Sequence, residues 1–168
     1  IHVSQLGMDC RYCHSFVDVA AHSNLPTTQS CMACHTQVQK ENPKLEPVRA
    51  SWKTGEPVEW VQLHRSPDYV YYNHAAHVNR GISCASCHGQ VNHMPVVYHA
   101  KPHSMAWCLE CHRKPENFLR PETEIFNLDW KPENENVSAF IEKYGQPKEA
   151  KEDWSKKKNL TQQEIGLT

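Results

Sequence analysis

The chain has 168 residues, 39% of them apolar, and a formal net charge of −1. One domain is the prior at this length, and a near-neutral chain lacks the basic footprint of a nucleic-acid binder. No apolar run reaches the ~18 residues that span a bilayer as a helix, and Leu, Ile and Phe are scarce enough that a protein-only core would be thin.

The N-terminal stretch runs Ile1-His2-Val3, with Gly7 three residues before the first cysteine. Cys10-Arg11-Tyr12-Cys13-His14 follows, and the pattern Cys-x-x-Cys-His returns at Cys31, Cys34 and His35, at Cys84, Cys87 and His88, and at Cys108, Cys111 and His112. The four copies use all eight cysteines. This is the spacing of c-type haem attachment: two thiols add across the vinyl groups as thioethers, and the adjacent histidine gives the iron an axial nitrogen. Four such sites describe a chain that moves electrons.

Zinc is the competing chemistry, because Cys-x-x-Cys pairs about 15–20 residues apart also build structural zinc sites. Seventeen residues separate Cys13 from Cys31, and twenty separate Cys87 from Cys108. The histidines decide. His is 12 of 168 residues, so four in the required place arise by chance on the order of 3 times in 100,000. A four-thiolate zinc site has no use for them. An even cysteine count also permits disulfides.

Residues 41–73 form an aromatic, proline-rich connector, with prolines at 43, 47, 57 and 67 alongside Trp52, Trp60, Tyr69, Tyr71 and Tyr72. Long regular structure is not expected there, and the aromatics read as walls for haem packing. After it, Ala76-His77-Val78 with Gly81 before Cys84 repeats Ile1-His2-Val3 with Gly7 before Cys10. The offset between halves is 74 residues at the first motif and 77 at the second. Residues 1–112 therefore read as a tetrahaem domain made of two dihaem repeats, about 1–40 and 74–112. The expected fold is mostly irregular with short α-helices at the motifs, little strand, and protein wrapped around a haem core.

His14, His35, His88 and His112 are the proximal ligands that the motif implies. Sixth ligands come from the other histidines or from methionine, and His–Met ligation raises the potential relative to bis-His. The best distal pair is His74 and His77, three apart on one turn, and His2 corresponds to His77 in the repeat. His22, His93, His99 and His103 have packing or surface roles as an equal reading, and for Met94 and Met105 the plain reading is core filler. No catalytic residue is expected.

Residues 113–168 contain no Cys or His and hold 21 of the 37 charged residues. They read as a solvated, partly disordered extension or as an arm that lies on a partner. The scattered apolar residues Ile125, Phe126, Leu128, Trp130, Phe140, Ile141 and Trp154 favour the arm. A short helix is expected near residues 137–144, capped by Asn136 and stopped by Gly145. Haem attachment of this kind is made outside the cytoplasm, so an export signal or anchor is expected upstream.

Several stretches together resemble the multihaem cytochrome c subunit of bacterial alternative complex III. They are the run from Glu59 through His64, Asp68 and His74 to Val78, the run from Gly81 through Met94-Pro95 to Tyr98, the run Ser104-Met105-Ala106-Trp107-Cys108 onward, and Gly7-Met8-Asp9-Cys10. The resemblance covers roughly residues 1–130. It places His64, His77, Met94 and Met105 on recurrent positions, and His99 and His103 off them. It implies a relay of electrons from quinol oxidation towards a periplasmic acceptor, a further cytochrome c or another carrier. It implies docking on an iron–sulfur and molybdopterin-like subunit and on integral membrane subunits, at the periplasmic side of the inner membrane. The subunit itself would do no bond chemistry.

Members of that family usually start with a membrane helix and a Phe-x-His-x-x-His segment, of which His2 is the last residue. They also carry a fifth haem motif shortly after a Leu-Thr pair, and here Leu167-Thr168 is reached. The sequence is thus expected to be trimmed at both ends, with four haems in the residues given and a fifth possible beyond them. The alternatives are a free-standing tetrahaem periplasmic shuttle and the cytochrome subunit of a related menaquinone reductase complex. A catalytic multihaem reductase would need an altered motif, such as Lys in place of His, and none is present.

Overall fold

The structure is a computed structural model, and it describes residues 1–131. Among them are five short α-helices and no strand: α1 (Thr28–His35), α2 (Glu46–Thr54), α3 (His74–Val78), α4 (Cys84–His88) and α5 (Met105–Arg113). Brief 3₁₀ turns lie at Cys10–Tyr12, Pro43–Leu45, Val91–His93, Pro115–Phe118 and Glu122–Glu124. A single bridge pairs Ile82 with Leu119. The mostly irregular, helix-poor fold expected from the sequence is the fold observed. The helix expected near residues 137–144 lies outside the described residues.

Each Cys-x-x-Cys-His motif sits on a helical turn, and each turn is started by a side chain that accepts a backbone N–H. The caps follow the repeat. Asp9 and Ser83 cap directly before the first cysteines of the first and third motifs. Thr27 and Ser104 cap four residues before the first cysteines of the second and fourth. Such caps satisfy donors that a helix start otherwise leaves unpaired, for about 1 kcal/mol each. Gly7 and Gly81 also share a left-handed backbone, with φ 65° and 89°. The polar residue before Cys10 and Cys84 and the glycine before it are thus a turn followed by a cap.

The connector departs from expectation. Prolines 43 and 47 do not break structure there. Each stands in the first turn of a helical element, where its missing N–H costs nothing. Pro43 opens the 3₁₀ turn and Pro47 opens α2, which at nine residues is as long as α5. Gly55, at φ 79°, closes α2. The helix packs on α1 through Ser51, whose hydroxyl lies 2.6 Å from Thr28 Oγ1 and donates to the Glu56 carbonyl at 2.6 Å. Residues 55–73 carry no helix or strand.

The apolar core is as thin as composition implies. Among the described residues only Val17, Met32, Val78, Ile125 and Leu128 are buried apolar side chains. Val17, Val78 and Ile125 form one cluster with Phe126 against it, so the two repeats and the segment after residue 112 share it. Backbone bonds tie the repeats at the same place, from His74 N to Ala21 O and from Ala75 N to Ala20 O, both 3.1 Å. The Asn79 amide adds a bond to Asp18 O at 2.9 Å.

Packing continues past residue 112, where composition changes. Arg120 N donates to Gly81 O at 2.8 Å, and Gln90 Nε2 to Leu128 O at 2.8 Å. Asp129 accepts from Asn92 and His93 at 2.8 and 2.7 Å. The Arg11 guanidinium, inside the first motif, lies 4.3 Å over the Phe126 ring. Residues 113–131 are therefore held on both repeats.

Candidate haem-binding site

In each motif the two cysteines and the histidine occupy positions i, i+3 and i+4, which face one way from a helical turn. None of the eight cysteines forms a disulfide, and only Cys34 is fully exposed. The motifs are also close to one another. The thiols of Cys10 and Cys84 interact directly, and this, with burial, pushes Cys84 up. The first cysteines of the two repeats thus stand side by side. Among the described residues no three His, Cys, Asp or Glu side chains converge on a point that would hold a bare metal ion.

The histidines are arranged as ligands are. His14 Nδ1 lies 2.8 Å from Asn24 O, and His35 Nδ1 lies 2.8 Å from Val38 O. His74 Nδ1 lies 2.8 Å from Ala21 O, and His77 Nδ1 lies 2.7 Å from Asn73 O. A carbonyl only accepts, so each ring carries its proton on Nδ1 and turns the Nε2 lone pair outward. This is the outer-shell bond that orients metal-binding imidazoles. Local left-handed turns build two of these contacts. Asn24 has φ 60°, and Gln39, just after Val38, has φ 52°. Asn tolerates that region better than most residues. Its side chain also accepts from Phe16 N at 3.0 Å.

Two pairs match the repeat. The His2 and His35 rings have centroids 6.0 Å apart, and His77 and His112 are 6.1 Å apart. A metal–imidazole bond is about 2 Å long, so two rings on opposite sides of one metal ion lie roughly 6 Å apart. These separations fit an iron with two axial imidazoles. His2 and His77 are repeat equivalents, as are His35 and His112.

Around the third motif the arrangement is tighter. His64 is 4.4 Å from His88, 5.3 Å from His99 and 5.8 Å from His103. His64 Nε2 is buried and has no hydrogen-bond partner. Burial, followed by the neighbouring histidines, lowers His64 and holds His88 down at about 4. Both are therefore neutral imidazoles at neutral pH, the form that binds a metal. His99 and His103, off the recurrent positions of the resemblance, join this cluster. His103 Nε2 lies 3.1 Å from Cys87 O, and its backbone is left-handed at φ 45°. The sequence left a packing or surface role as an equal reading for both, and the fold is what brings them beside His64.

The remaining candidates separate. His74 flanks Tyr72 together with His77. Met94 Cε stands by Gly89, 3.3 Å from where a β-carbon there would lie, next in sequence to His88. Met105 begins α5 and is 58% exposed. His93 is an outside clip, bound to Asp129, and His22 is exposed.

This mostly irregular fold with short helices, paired thiols and outward-facing imidazoles is consistent with a small multihaem cytochrome c. Residues 70–139 match the family model of cytochrome c7 and related cytochrome c. The menaquinone reductase, multiheme cytochrome c subunit of Nitratidesulfovibrio vulgaris (strain Hildenborough) is 37% identical over 89 residues. That alignment covers 52% of this chain and 41% of the relative. Both matches are to cytochromes c, the class that the four Cys-x-x-Cys-His motifs point to.

Proposed function

We propose that this chain carries four c-type haems and relays electrons within a membrane-associated quinone or quinol oxidoreductase complex. Cys10 and Cys13, Cys31 and Cys34, Cys84 and Cys87, and Cys108 and Cys111 would form the thioethers. His14, His35, His88 and His112 would be the proximal ligands, with His2 opposite His35 and His77 opposite His112. Bound there, each haem would take up and release one electron at its iron. The protein's part is to hold neutral imidazoles in place, to keep the haem edges near one another, and to tune each iron through its ligands and burial. The observation that carries this reading is the repeat-equivalent pairing of His2 with His35 and His77 with His112 at 6.0 and 6.1 Å.

Two complexes suit the relay. The resemblance over residues 1–130 favours the cytochrome subunit of alternative complex III, feeding a periplasmic acceptor. The 37% identity to a menaquinone reductase subunit favours the related assembly, in which electrons run towards menaquinone. In both, the partners would be an iron–sulfur or molybdopterin-like subunit and integral membrane subunits, on the periplasmic side. Intact mass and a pyridine haemochrome assay test the cofactor, with four haem adducts per chain expected. A colourless, zinc-containing protein would overturn the whole reading. Isolation from native membranes tests the setting. Co-purified membrane subunits with quinol-oxidising activity favour the first complex, quinone-reducing activity favours the second, and a lone soluble monomer overturns both.

A further inference from the structure

Tyr72 lies at the junction of the third and fourth motifs. Its ring stacks on His77, with centroids 4.5 Å apart and planes 29° apart. It meets His74 edge-on, at 4.8 Å and 88°. Its hydroxyl stands beside the Cys87 side chain, and burial, followed by the Cys87, Cys84 and Cys108 side chains, keeps it protonated. Its neighbours behave differently, since Tyr71 is 98% exposed and Tyr69 64%. One aromatic of the connector is therefore turned inward, onto the imidazoles of His74 and His77 and the Cys87 side chain of the third motif.

We infer that Tyr72 is a positioning residue that couples the haems of the third and fourth motifs, its flat face fixing the ring plane of His77 and its hydroxyl reaching the side chain of Cys87. This rests on the reading of His77 as an axial ligand. The physical basis has two parts. A stacked ring favours one rotation of an imidazole, and hydrogen bonding and burial around a haem are levers by which the protein sets its potential. Asn73 assists from the chain itself, because its carbonyl accepts a hydrogen bond from His77 Nδ1–H.

The test uses the full haem-loaded protein and two variants. Tyr72→Phe keeps the flat face and loses the hydroxyl. Its low-spin electron paramagnetic resonance signals should match the wild type, while the midpoint potential of one haem, that of the third motif, moves down. Tyr72→Leu removes the face. One low-spin signal should then shift its principal g value or broaden, with four haem adducts retained by mass. In a His77→Ala background Tyr72→Leu should no longer affect that signal. Tyr72→Leu with every signal and potential unchanged would overturn the inference, and so would Tyr72→Phe behaving the same as Tyr72→Leu. A wild-type protein without haem adducts would instead overturn the cofactor reading.

Discussion

His77 and His112, 35 positions apart in the chain, face each other with ring centroids 6.1 Å apart. Helix α3 carries the first and α5 the second, so an iron held between them would clamp the start of the second repeat to its end. His77→Ala should turn one haem from six-coordinate low-spin to five-coordinate high-spin, and added imidazole should restore it. Covalent attachment at all four motifs should survive, because His77 lies outside them. Optical and paramagnetic spectra with intact mass check this, and loss of an adduct would show that His77 has a different role.

The first repeat predicts an independent partner effect. His2→Ala should convert a different haem, the one on His35, and the double variant with His77→Ala should convert two. Sites without shared contacts add. A double variant that converts only one haem would place both histidines on one iron.

Asn24 links backbone strain to His14, the proposed proximal ligand of the first motif. Its left-handed φ of 60° brings its carbonyl to His14 Nδ1, while its side chain holds Phe16 N. Asn24→Ala should destabilise the protein by about 1–2 kcal/mol, the cost of a left-handed alanine, plus the lost side-chain bond. Asn24→Gly should recover the backbone share. Denaturant midpoints at constant slope measure both.

Gly81 and Gly7 occupy equivalent turns but not equivalent surroundings. A β-carbon on Gly81 would stand 3.0 Å from Arg120 O, whereas one on Gly7 meets nothing within 4 Å. Gly7→Ala should cost only the left-handed strain, about 1 kcal/mol. Gly81→Ala should cost more, about 2–3 kcal/mol, because it also pushes on the strand-like contact with residues 119 and 120. Equal losses in the two variants would deny that contact any weight.

Acid should act late at the third motif. Burial, then His64, His103, His74 and His14, hold His88 down at about 4, against 6.5 for a free imidazole. As pH falls below about 6.5 the unfolded chain takes up the proton first, and the folded chain follows only near 4. The stability contributed by neutral His88 is therefore complete above pH 6.5 and lost progressively down to about 4. That difference corresponds to about 3 kcal/mol. Denaturation midpoints across this range should fall with acid and level off below it. Midpoints that stay constant between pH 6.5 and 4 would contradict a His88 buried in this way.

How much of this was legible in the sequence follows from the range of each interaction. The cap residues, the glycine turns and the motif helices are local. Their geometry is set by a side chain reaching two or three residues along its own backbone, so Asp9, Ser83, Gly7 and Gly81 could be read from spacing and repeat alone. Prolines 43 and 47 were local too, but proline is ambiguous: it both ends helices and starts them, and here Leu45 and the residues after it follow in helical register. The thin core was legible from composition, because few Leu, Ile and Phe side chains can only build a small cluster.

Pairing was not legible. Which histidine stands opposite which depends on two chain segments meeting, and no sequence rule relates His2 to His35 or His77 to His112. The same holds for Tyr72, whose inward turn just after the outward Tyr69 and Tyr71 is decided by packing, and for His99 and His103, which join His64 only when the chain after Met94 folds back. The sequence by itself determined the chemistry, four paired thiols each with a histidine, because covalent attachment needs only neighbouring residues. The tertiary structure alone decided which imidazoles and aromatics meet across the repeats, because those contacts are made through space between elements tens of residues apart.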